Sequence, residues 1–252
     1  MITLGVDPSL TGFGWCVHNG SVLGEKRVVA SGVISTPSKQ VFVSRYACLR
    51  AALVYLLDRY PEIEAVGVES PPYGEQFSEG LYALFVYVNE AIYLSRKNVV
   101  YFDPTTVKML AKMDARIRRG SMDKSDMIEA ARAEVGRVLN HNIADAYIIG
   151  RSAARFWEFE TEVIKRDELT PSEIQSFHRV HTFQKGKHAG QTVRGGLVFR
   201  EGDRFFRFST RLRDPEEEEF RKWLCQRGSK VLTEIQEAKS RPSRQRKARS
   251  RT

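Results

Sequence analysis

The 252-residue chain is predicted to be an α/β protein: a mixed sheet flanked by helices, followed by a small basic β-hairpin and helix. Three observations carry that reading. The chain opens with three strand-like runs joined by turns, continues as alternating helical and strand patterns, and ends two of its apolar runs in a carboxylate.

The first run, ITLGVD, turns through Pro8, Ser9 and Thr11 and re-enters an apolar strand after Gly12. His18-Asn19-Gly20-Ser21 supplies an Asn-Gly hairpin signal before VLGEKRVVASGVIS, which completes an antiparallel meander. VFVSRYACLRAALVYLLDRY follows, with Phe42, Tyr46, Leu49, Leu53 and Leu56 at helical spacing. After it come strand EAVGVE, helix FSEGLYALFVYVNEAIYLS, strand NVVYFD, a short helix begun at Pro104, helix KSDMIEAARAEV and the amphipathic stretch NIADAYIIGRSAARF. Meander, helix, strand, helix, strand, helix is the order of the ribonuclease H-like fold.

Asp7 ends ITLGVD, Glu69 ends AVGVE, and Asp145 lies on the last amphipathic stretch. A carboxylate at the end of an apolar strand is partly desolvated, which is costly unless a cation or hydrogen bonds compensate it. Strands of one sheet bring residues distant in sequence close together, and such hard oxygen ligands suit Mg²⁺ or Mn²⁺. Two ions of that kind clamp the attacking water and the leaving oxygen of a phosphodiester displacement. Singly, each residue has a plainer reading: Asp7 as a turn residue before Pro8, Glu69 as a solvated strand end. Their joint occurrence with Asp145 favours a metal site.

In GVDPSLTGFGW around Asp7, VGVESPPYG around Glu69, PTTVKMLA around Lys108, GSMDKSDMIEAA around Lys124 and HNIADAYIIG around Asp145, the chain resembles the RuvC-type Holliday junction resolvases, and more closely their shorter-motif bacteriophage variants. These motifs fall in order across residues 2 to 155. The resemblance implies a homodimeric junction nuclease in which Asp7, Glu69 and Asp145 bind two Mg²⁺ ions and Lys108 and Lys124 lie near the scissile phosphate. It also implies an aromatic that holds open the central base pairs, here Tyr73 or Phe77. The family's fourth ligand stands three residues before the last aspartate, usually acidic or histidine; that position is Asn142, preceded by His141. Both lie on the helix face of Asp145. His141 is preferred because an imidazole can ligate a metal or move a proton, with Asn142 the alternative and helix capping the plain reading of either. Lys124, flanked by Asp123 and Asp126, has helical ion pairs as its plain reading, and Lys108 has a similar one.

Residues 1 to 150 carry 16 Lys+Arg against 16 Asp+Glu, and residues 151 to 252 carry 24 against 15, so the whole excess of +9 lies in the later part. The chain divides into a nuclease domain (1–158), a basic β-plus-α appendage (159–238) and a tail (239–252) with seven basic residues and no acidic one, expected to be disordered. RGGLVFR and RFFRFSTRL read as a hairpin around a Gly-containing turn, mixing arginine with phenylalanine. Arg118, Arg119, Arg204, Arg207, Arg244, Arg246 and Lys247 are the candidate phosphate contacts, beside Tyr73, Phe77 and the two lysines. His178, His181, His188 and Cys225 match no common zinc-finger spacing.

The chain shows no apolar run of membrane-spanning length, and MITLGVD enters a strand at once, leaving no room for a signal peptide. Cys16, Cys48 and Cys225 are scattered and read as buried thiols of a reducing cytoplasm. An actin-like kinase would need a second phosphate-binding half, which nothing after residue 155 supplies, and a non-catalytic DNA-binding protein has no need of three such carboxylates. A ribonuclease H or transposase-like nuclease is the nearest rival, since it shares the metal chemistry.

Overall fold

The computed structural model describes residues 1–71, 78–112, 123–137, 139–177, 180–182, 192–194, 198–200 and 215–240, the last four stretches in part by backbone alone. Strands β1 (Ile2–Asp7), β2 (Phe13–Asn19) and β3 (Val28–Ile34) form the expected antiparallel meander. The link between β2 and β3 is longer than the Asn-Gly signal suggested. Asn19 Oδ1 accepts from Ser21 N at 3.0 Å, and a 3-10 turn over Gly24–Arg27 intervenes before β3. The Asn side chain thus closes a local turn in place of a two-residue hairpin.

Helix α1 (Phe42–Arg59) crosses to β4 (Ala65–Glu69), and α2 (Glu79–Leu94) to β5 (Asn98–Phe102). Then come α3 (Pro104–Ala111), α4 (Lys124–Val135), α5 (His141–Glu160) and α6 (Pro171–Phe177), the short strands β6 (Val180–Thr182), β7 (Thr192–Arg194) and β8 (Val198–Arg200), and α7 (Pro215–Ser240). The main sheet among the described residues has the order β3-β2-β1-β4-β5-β8, with β4 parallel to both β1 and β5 and the other pairings antiparallel.

Alternation along the strands assigns the two faces. Leu4, Val6, Val66, Val68 and Val99 join the core under α1 and α2, to which Leu224 of α7 also belongs. Val100 and Phe102 join the core under α3, α4 and α5. Thr3, Gly5, Gly67 and the strand-end acids Asp7 and Glu69 fall on the α5 face by the same period. A Cβ at Gly5 would stand 1.8 Å from Ala146 O, and one at Gly67 2.9 Å from Ile149 O. Only glycine lets α5 sit so low on the sheet.

Phe42, at helical spacing with the buried Tyr46, Leu49, Leu53 and Leu56, is itself 57% exposed at the first position of α1. VFR (198–200) forms β8, which runs against β5, while β7 pairs with β6. The RFFRFSTRL half of the expected hairpin lies outside the described residues, as do Tyr73, Phe77, Arg118, Arg119, Arg204, Arg207, Arg244, Arg246 and Lys247. Of the thiols only Cys16 is fully buried. Cys225 is half-buried where α7 meets α1, its Sγ donating to Asp58 Oδ2 at 3.3 Å. Among the described residues no helix is long and apolar enough to cross a membrane.

The turn after Asp7 is tied to α1 through a buried cation. Arg45 Nε donates to Thr36 Oγ1 at 2.8 Å, its terminal nitrogen donates to Leu10 O at 2.9 Å, and Thr36 Oγ1 donates to the same carbonyl at 2.7 Å. Arg45→Met should therefore lower stability by about 2–4 kcal/mol, since it leaves the carbonyl and hydroxyl short of donors. Chemical denaturation measures it; a loss below about 0.5 kcal/mol would show the tether to be dispensable.

Candidate active site

Asp7 and Glu69 end neighbouring parallel strands, the pairing register running through Val6 and Val68 just before them. Both project toward α5, whose Asp145 lies one residue before the Ala146 seated on Gly5. Period-two alternation, a glycine two residues before each strand-end acid, and a helix pressed onto those glycines bring the three carboxylates to one edge.

Electrostatics confirm that they share a neighbourhood. Burial, then the Asp145 charge, pushes Asp7 up to about 7 against the pull of Lys124. Burial, then Asp7 and Asp145, pushes Glu69 up to about 8 against Lys108. Asp145 is raised by burial, opposed by His141, Lys124 and Lys108. Among the described residues no hydrogen-bond donor reaches these carboxylates, although no three His, Cys, Asp or Glu side chains there close around a common point. The donor chemistry therefore suits a hard cation, while the side chains stand apart rather than forming a closed cage.

Each plain reading from the sequence can be set against the geometry. Asp123 caps α4, accepting from Ser125 N at 2.8 Å and Asp126 N at 3.0 Å, while Asp126 Oδ2 accepts from Asp123 N at 3.1 Å. Both flanking acids are engaged in this capping box, and among the described residues Lys124 has no ion pair. Its charge instead acts on Asp7 and Asp145. Helix α5 is capped by Asn140, whose Oδ1 accepts from Asn142 N at 3.0 Å, so neither His141 nor Asn142 is needed as the cap. Asn142 packs on the β1–β2 turn, where a Cβ at Gly12 would lie 2.5 Å from its Nδ2 and one at Gly14 2.2 Å from its carbonyl oxygen. His141 is the member of the pair whose charge is felt by Asp145.

Lys108 and Lys124 are carried by α3 and α4, which are locked to α5 through Glu134. Its carboxylate accepts from Arg27 at 2.8 Å, from the Tyr147 hydroxyl at 3.0 Å and from Arg151, whose other nitrogen donates to Leu110 O at 2.6 Å. One residue was overlooked in the sequence. Asp103 follows β5 directly and its charge also raises Glu69. NVVYFD ends in a carboxylate as ITLGVD and AVGVE do, so the same signal was present.

Fold and site together define a ribonuclease H-like α/β protein with a cluster of half-buried carboxylates at the strand ends. Among the solved structures it resembles are two of RuvC. Thermus thermophilus RuvC matches with a TM-score of 0.53 and 20% identity over 64% of this chain and 98% of that one. T. thermophilus RuvC in complex with Holliday junction substrate matches with a TM-score of 0.52 and 20% identity over 63% and 95%. In sequence, the crossover junction endodeoxyribonuclease RuvC of Rickettsia akari (strain Hartford) is 37% identical over 67 residues, 26% of this chain. That stretch spans 42% of the relative's length. No family model matches the chain.

Proposed function

We propose that the chain is a structure-selective DNA endonuclease of the RuvC type, in the shorter-motif form of bacteriophages, resolving four-way branched DNA by paired nicks. The observation that carries this is the convergence of Asp7, Glu69 and Asp145 on one edge of a ribonuclease H-like sheet, with Lys108 and Lys124 acting on them from α3 and α4. Mg²⁺ or Mn²⁺, two ions per site, would be held by Asp7, Glu69 and Asp145 with His141 or Asn142, and supplies charge stabilisation and an activated water. Lys108 and Lys124 neutralise the phosphate and orient it. His141 holds or moves a proton at its imidazole. The matched relatives are a crossover junction endodeoxyribonuclease and a RuvC bound to a Holliday junction substrate, which is the substrate class proposed.

A panel of duplex, RNA/DNA hybrid, flap, three-way and four-way substrates with Mg²⁺ or Mn²⁺ tests the reading. Four-way DNA should be cut by symmetric nicks and plain duplex spared. Preferential cutting of the hybrid would instead make the chain a ribonuclease H.

His141→Ala is expected to lose at least tenfold more cleavage rate than Asn142→Ala, because an imidazole can ligate a metal or move a proton and an amide does neither as well. Single-turnover rates of the two variants measure this; the reverse ranking assigns the role to Asn142.

Two opposed strands are cut, so an isologous homodimer is proposed. Its support is the outer stripe of α2, where Tyr82 and Val86 are 44% and 55% exposed. Phe85, on the same helix, packs inward on Tyr101. Val86→Glu should convert a dimer to monomer in light scattering; a wild-type monomer would remove the dimer.

A further inference from the structure

About a third of this chain has no counterpart in the solved structures it matches, which are themselves covered to 95% and 98%. The last described element is α7, an amphipathic helix laid on α1. Leu224 and Gly228 are buried, and a Cβ at Gly228 would stand 2.0 Å from Ala51 O. With 100° per residue, the opposite arc carries Lys222, Trp223, Gln226, Arg227 and Lys230, all exposed. Glu219, at its N-terminal end, is the acid among the described exposed residues of this face.

The helix also has a direction. Cys225 meets Asp58 near the end of α1, and Gly228 meets Ala51 and Tyr55, so α7 runs antiparallel to α1. From Gly228 to Ser240 it extends about 18 Å, and from Ala51 back to Phe42 α1 extends about 14 Å. The C-terminus of α7 thus draws level with the start of α1, where Arg45 holds the turn after Asp7. The sequence continues from there with the strongly basic KSRPSRQRKARSRT.

We propose that the outer face of α7 is a second DNA-docking surface, on which Lys222, Arg227 and Lys230 grip the phosphates of a duplex arm leaving the carboxylate edge. The three cations span about 12 Å along the helix, which matches roughly three phosphates of one strand at about 3.4 Å of axial rise each. Among the described residues none of them is in an ion pair, so their charge is available to a polyanion. Gln226 and Trp223 add a hydrogen-bond donor and an aromatic face beside them. The surface reads no base edges. It adds affinity and holds an arm in line with the site.

This inference rests on the proposed DNA-nuclease reading. The full-length K222A/R227A/K230A variant is compared with wild type in binding a four-way junction and a duplex across salt concentrations. About tenfold weaker binding to both is expected, with a slope of log affinity against log salt shallower by roughly 2–3. Junction cleavage at saturating DNA and the melting temperature should stay as in wild type. In a second measurement on wild-type protein, junction DNA should shield Lys222 and Lys230 from acetylation. Unchanged affinity and slope, or lysines that remain reactive in the complex, would overturn the surface while leaving the nuclease reading intact. A wild-type chain that binds neither DNA removes both.

Discussion

Asp7→Asn is expected to bind a four-way junction within about twofold of wild type and to cleave it at least 10³-fold more slowly. Asparagine keeps the shape at the end of β1 but removes one of three charges that together favour a cation at this edge. A 10³-fold loss corresponds to about 4 kcal/mol of transition-state stabilisation, the order expected when the electrostatics at a developing phosphorane-like charge are weakened. Binding persists because it rests on phosphate contacts elsewhere, on lysines, arginines and the basic later part of the chain. Single-turnover cleavage and a binding titration on the same junction measure the two quantities. A variant that cuts at the wild-type rate in Mg²⁺ would displace Asp7 from the site.

The metal-free protein should become less stable between pH 6.5 and 8, and Mg²⁺ should reverse the loss. Asp7 titrates near 7 and Glu69 near 8 in the fold, against ordinary values of 3.8 and 4.5. In this window the folded chain still holds protons that the unfolded chain has released, so stability falls as pH rises. His18 works in the opposite sense. Burial, then Arg27 and Arg151, lowers it to about 3, so it destabilises the fold only below its unfolded value of 6.5. Starting at pH 6.5 therefore isolates the carboxylates. With about 1.4 kcal/mol per unit, the two groups together lose on the order of 2 kcal/mol by pH 8, a fall in Tm of roughly 5 °C. Asp7→Asn should about halve that fall, since it removes one titration and relieves Glu69 of a repulsive neighbour. Thermal melts with EDTA and with excess Mg²⁺ decide it: a flat wild-type profile, or one that Mg²⁺ leaves unchanged, counts against a shared cation site.

Local patterns in the sequence were enough for the meander, the alternating helices and strands, and the three acids. Each depends on periodicity or on a residue's place at the end of an apolar run, both of which are written within a dozen neighbours. Asp103, at the end of NVVYFD, is legible by the same rule. The start of α5 was not separable in this way. His141, Asn142 and the cap were equivalent candidates until Asn140 was seen to accept from Asn142 N and Asn142 to rest on Gly12.

Which residues are acidic, where the strands end and that the charge excess lies after residue 150 are properties of composition and local order. It is packing that lets Gly5 and Gly67 seat α5 so that Asp145 joins Asp7 and Glu69, that extends the main sheet with VFR beside β5, and that lays α7 antiparallel on α1. Those outcomes depend on close backbone approach and on which edge or face is left unoccupied, and neither is encoded in any one stretch of chain.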